Sequence, residues 1–134
     1  MSDRRDPEDP RSWLDYADAD LHAARVLAGE DDGFPMQVCA FCQQAAEKYL
    51  KAVLVAGGCD VPRIHGLVEL RALTGRSISE QVTDGELEEL TKWIVVGRYP
   101  TVWEEPTSAD AAVALRLAEV VGVAVRGIIS GFPE

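Results

Sequence analysis

Basic residues are scarce in this sequence. Against 23 Asp and Glu there are 13 Lys and Arg in 134 residues, a formal charge of −10 with both histidines neutral. Phosphate contacts are made mainly by Lys and Arg, so tight RNA or DNA binding by this chain alone is disfavoured. Long hydrophobic runs are missing as well. The most apolar stretch, residues 120–132, is interrupted by Arg126 and falls short of the roughly 20 residues a membrane-spanning helix needs. Residues 1–10 are polar and charged and lack the apolar segment of a secretory signal. Cysteine is limited to 3 positions. An odd number without a disulfide-like framework suits a reducing compartment, and a cytoplasmic location is the expectation. Phosphate-loop and nucleophile-elbow signatures are absent too: Gly57-Gly58 is not followed by Gly-Lys-Ser or Gly-Lys-Thr, and no Gly-x-Ser-x-Gly occurs.

What is present is ordinary globular composition, 47% hydrophobic and 27% charged. A chain of this length fits one compact domain, expected over residues 10–131 behind a flexible N-terminus, residues 1–9. No alternating strand pattern or internal repeat occurs, and the periodicity predicts an all-α fold of five helical segments. In the first, Asp9 can cap, Pro10 fits the first helical position, and Leu14, Ala17, Leu21, Ala24 and Leu27 recur at helical spacing. The second runs from about Met36 to Ala56 and ends at Gly57-Gly58 as a left-handed cap would. On it Gln43, Gln44, Glu47, Lys48 and Lys51 share an arc of roughly 140°, which predicts one polar face left open. A short third helix holds Leu67, Leu70 and Leu73. The fourth opens with a capping box, Thr83 to Glu86, and carries Leu87, Leu90 and Ile94; Thr107 to Asp110 opens the last in the same way. That last helix is apolar over most of its circumference, as a core helix or half of a dimer interface would be. A bundle this small is not expected to enclose all of Val120, Val121, Val123, Val125, Ile128 and Ile129, so a homodimer is predicted.

Isolated motifs read plainly. Cys39 and Cys42 have the spacing of a zinc half-site, but no second pair exists, and buried structural thiols are the expectation, with no metal. Asp18 and His22, four apart, either orient an imidazole or form a solvated pair. Glu47 and Lys51 form a helix pair worth a few tenths of a kcal/mol. His65 either packs or lines a groove.

Three segments carry a resemblance: residues 41–52 (Phe-Cys-Gln-Gln-Ala-Ala-Glu-Lys-Tyr-Leu-Lys-Ala), residues 65–70 (His-Gly-Leu-Val-Glu-Leu) and residues 96–100 (Val-Gly-Arg-Tyr-Pro). Together they resemble the HEPN domain family, the nucleotide-binding domain of higher eukaryotes and prokaryotes. The resemblance implies an antiparallel four-helix up-and-down bundle with an additional short helix, usually a homodimer. It also implies a minimal nucleotidyltransferase as partner, in a toxin–antitoxin-like pair, and no cofactor. Active members are metal-independent RNA endonucleases whose motif is an arginine followed, after four to six residues, by histidine. The histidine moves the ribose hydroxyl proton, and the arginine holds the phosphate.

Here Arg98 is present, but Trp103, Glu104 and Glu105 stand where histidine would. No other arginine precedes His22 or His65 at that interval. Catalysis is therefore not the first expectation; a non-catalytic interaction and nucleotide-binding module is. The alternative is a divergent RNA endonuclease toxin in which Glu104 or His65 replaces the missing group. Candidate cleft residues are Arg98, Tyr99, Gln43, Gln44, Lys48, Lys51 and His65. Arg98, spaced to point inward after Leu87 and Ile94, is either a structural salt-bridge partner or a nucleotide-phosphate contact.

Overall fold

The computed structural model describes residues 6–78, 80–96 and 104–132. Among these residues the chain is all-helical, without a strand: α1 (Pro10–Ala28), α2 (Pro35–Ala56), α3 (Leu67–Leu73), α4 (Asp84–Thr91), the single turn α5 (Trp93–Val96) and α6 (Ser108–Ser130). None of these helices is long and apolar enough to cross a membrane.

The helix starts follow local chemistry. The Asp9 carboxylate accepts the Arg11 N–H at 2.9 Å, with Pro10 in the first turn. The Arg11 side chain, then its N–H, hold that carboxyl below its usual range. Both expected capping boxes form, Thr83 with Glu86 and Thr107 with Asp110. The Thr83 N–H, then the Arg116 guanidinium, lower the Glu86 pKa. Past α2, Gly58 takes φ +78°, and the Cys59 and Gly58 amides donate to the Leu54 and Val55 carbonyls at 2.9 and 3.0 Å. That pattern closes the helix end as a Schellman motif.

α2 is the central element: it packs against all the other described helices, most extensively against α1 and α6. Ala17, Ala24, Ala45, Ala46, Ala52, Ala114 and Ala118 are all fully or nearly fully buried, so the helix backbones approach closely. Larger Leu50, Leu67, Leu70, Leu87, Leu90 and Leu117 fill the remaining core.

Two expectations change. The fourth segment is not one helix; it stops at Thr91 and resumes at Trp93. The Thr91 hydroxyl donates back to the Leu87 carbonyl at 2.8 Å while accepting the Leu67 N–H at 3.2 Å, a side-chain competition that bends helices. Leu73 is 53% exposed rather than core. On α6, as expected, the bundle does not enclose every apolar side chain: Val121 and Val125 are buried and Ile128 and Ile129 half-buried, while Val123 is 74% exposed.

Candidate functional site

On α2, Gln43, Glu47 and Lys51 follow one another at intervals of four residues and so lie in a row. Glu47 is the hub of that row. Its Oε1 accepts from Gln43 Nε2 at 3.2 Å, and its Oε2 receives Lys51 Nζ at 3.2 Å. From the connection between α2 and α3, His65 places Nδ1 2.9 Å from the same Oε1. Against an ionised carboxylate Nδ1 carries the proton, which leaves Nε2 of a neutral ring as an acceptor. The His65 side chain is 57% exposed, whereas Glu47 and Lys51 are 13% and 7% exposed.

The expected polar arc thus exists but is not an open face. α2 meets every other described helix, most of its residues are buried or half-buried, and Gln43 is fully buried. Gln43 donates to Glu47, so its Oε1 is turned away from the carboxylate; that oxygen is buried and has no hydrogen-bond partner among the described residues. An unmet buried acceptor costs about 1–3 kcal/mol. The other half of the arc faces α1. Lys48 Nζ lies 2.5 Å from Asp20 Oδ2 and 5.9 Å from the centre of the Tyr16 ring, with Gln44 half-buried on the same side. Of the candidate residues, Gln43, Lys51 and His65 therefore come together around Glu47, while Gln44 and Lys48 belong to the α1 contact. Arg98, Tyr99 and Trp103 lie outside the described residues; Glu104 and Glu105 are exposed.

Asp18 does not orient His22. Its Oδ1 accepts the Tyr49 hydroxyl at 2.6 Å, and its Oδ2 pairs with Arg126. Burial, then the Asp18 hydrogen bond, push the Tyr49 phenol well above its ordinary range. Cys39 and Cys42 are fully buried, and burial pushes both thiols up to about 12. They are protonated packing groups at neutral pH.

Two positions that organise this part of the molecule escape a reading by residue type. Glu47 looks like half of a minor surface pair until His65 and Gln43 are seen to converge on it; the four-residue row was its signal. Arg71 carries no motif, yet its guanidinium donates to the Ile78 and Val82 carbonyls at 3.3 and 2.7 Å and to Asp84 at 2.6 Å. It fastens the chain between α3 and α4 to α3. These partners lie 7 to 13 residues downstream, beyond any helical spacing.

Comparison with known families matches residues 10–128 to the HEPN domain. No curated protein and no solved structure matches the chain.

Proposed function

The chain belongs to the HEPN domain family, and from that premise we propose that it is a non-catalytic module that dimerises, binds a nucleotide and partners a minimal nucleotidyltransferase in a toxin–antitoxin-like system. In this reading α1, α2, α4 with α5, and α6 form the antiparallel four-helix up-and-down bundle, and α3 is the additional short helix. The setting is cytoplasmic, which agrees with two thiols buried as packing groups.

One observation carries the non-catalytic part. Arg98 has no histidine four to six residues on, and the two histidines of the chain are elsewhere, His65 on Glu47 and His22 on the surface of α1. Metal-free phosphodiester transesterification needs a positioned proton acceptor, and such a group contributes about 10²–10⁴-fold. The exposed Glu104 and Glu105 and the net charge of −10 also repel a polyanion.

Nucleotide binding is tested by titrating ATP, GTP, CTP and UTP into the purified protein by calorimetry, alongside Arg98→Ala. Wild-type binding of at least one, weakened about tenfold or more in the variant, is expected from a lost guanidinium–phosphate contact. Binding by neither protein, or equally by both, contradicts it.

A second reading has its own observation. Glu47 holds His65 through Nδ1, and the imidazole is largely open to solvent, the arrangement of a carboxylate-oriented base. On that reading the protein is a divergent metal-independent RNA endonuclease using His65.

A further inference from the structure

α1 and α6 run past each other in opposite directions, tied by two ion pairs: Asp18 with Arg126, and Arg25 Nε with Glu119 Oε1 at 3.1 Å. On each helix the acid precedes the base by seven residues, about 10 Å along the axis. The four charges therefore alternate in sign around an elongated rectangle. All four line one groove of about 270 Å³, which the buried Leu21, Tyr49 and Gly122 also line. At its edge stands Val123, 74% exposed and the most exposed of the large apolar side chains on the molecule's described surface.

From this geometry we infer that the α1–α6 face is an isologous interface for a second copy of this chain, with Val123 of each copy entering the groove of the other. The inference rests on the dimer reading and adds the surface. An alternating rectangle is self-complementary: a twofold axis lying in its plane, along or across the helices, sets each arginine opposite a carboxylate of the copy. The net charge of −10 opposes contact between like copies wherever acid is in excess, and this patch is neutral. The charges are already paired within one chain, so covering them strands none in a dry site, the situation that makes interfacial ions costly. The knob and the hole are adjacent on one patch, as a twofold contact requires. A polyanion or an anionic membrane finds no net positive charge here.

The test is sedimentation equilibrium of wild type, Val123→Glu and the control Leu73→Glu, the same charge placed at another exposed apolar residue, on α3 (Leu73 is 53% exposed). Circular dichroism and melting check that each variant is folded. A wild-type dimer whose dissociation constant rises at least about 30-fold in Val123→Glu, the mark of a central interface residue, and is unchanged in Leu73→Glu is expected. The dimer should also weaken with salt. A dimer unaffected by Val123→Glu overturns this surface and leaves dimerisation standing; a wild type that is monomeric at micromolar concentration overturns both. Should Val123→Glu unfold, the milder Val123→Ala decides by the same measurement.

Discussion

The ring of Tyr49 lies so close to Gly122 that a single added Cβ would stand 2.9 Å from two of its carbons. α2 and α6 meet there with nothing but hydrogen between ring and backbone. Gly122→Ala is therefore expected to destabilise the protein by about 1–3 kcal/mol, as overpacking does in cores. Tyr49→Phe keeps the ring and loses the hydroxyl with its 2.6 Å hydrogen bond to Asp18, for about 1–2 kcal/mol. Urea denaturation compares the two. A Gly122→Ala variant as stable as wild type would mean that the helices can part at no cost.

Glu47 is the counter-charge of a nearly buried lysine. Removing it by Glu47→Leu leaves the Lys51 ammonium, 7% exposed, without its partner. Breaking a buried pair this way costs about 3–5 kcal/mol, whereas replacing both members by apolar residues is often neutral. The double variant Glu47→Leu with Lys51→Met is thus predicted to be more stable than Glu47→Leu alone. Additive losses in a denaturation cycle would count against the coupling.

Alkaline pH should weaken the fold early. The Cys39 and Cys42 thiols rise from an ordinary 9.0 to about 12 in the folded chain. Above pH 9 the unfolded chain releases protons that the folded one keeps, so stability falls as pH climbs from about 9 to 12. Below pH 9 the thiols contribute no slope. The Tyr49 phenol acts in the same sense above 10.0. Melting temperatures between pH 8 and 10 should fall less steeply in the Cys39→Ala, Cys42→Ala double variant than in wild type. An identical slope would show that other groups dominate.

The parts of this fold that are readable from sequence are those whose cause is local. Asp9 before Pro10, Thr83 with Glu86, Thr107 with Asp110 and the glycine after α2 all act within a few residues, and each forms as its residue types demand. Periodicity also identified the polar arc of α2. What it could not supply is which neighbour covers each side. The arc divides because Asp20, 28 residues away, takes Lys48, and because His65, 18 residues away, reaches Glu47. The break at Thr91 depends on a hydroxyl shared between α4 and the first amide of α3. Asp18 likewise found its partners 31 and 108 residues on, not at the helical spacing of His22. Such pairings come from tertiary packing, which residue spacing does not encode.

Arg71 holds two carbonyls that its own loop leaves without helical partners. Arg71→Ala is expected to cost about 2–3 kcal/mol, since buried acceptors lose a charged donor. Hydrogen exchange should locate the effect, with protection lost at the start of α4 and retained across α1 and α2. A uniform loss across the molecule would instead mean that the loop and the core unfold as one unit.

The most direct test of the central claim is RNA cleavage by the purified protein, with chelator present to exclude metal nucleases and with single-stranded and structured RNA as substrates. Wild type, Arg98→Ala and His65→Ala are compared. The non-catalytic account predicts no cleavage above background by any of them, because no histidine follows Arg98 at the required interval. Cleavage by wild type that disappears in Arg98→Ala would contradict it. If it disappears in His65→Ala as well, the Glu47–His65 pair is the base of a working nuclease.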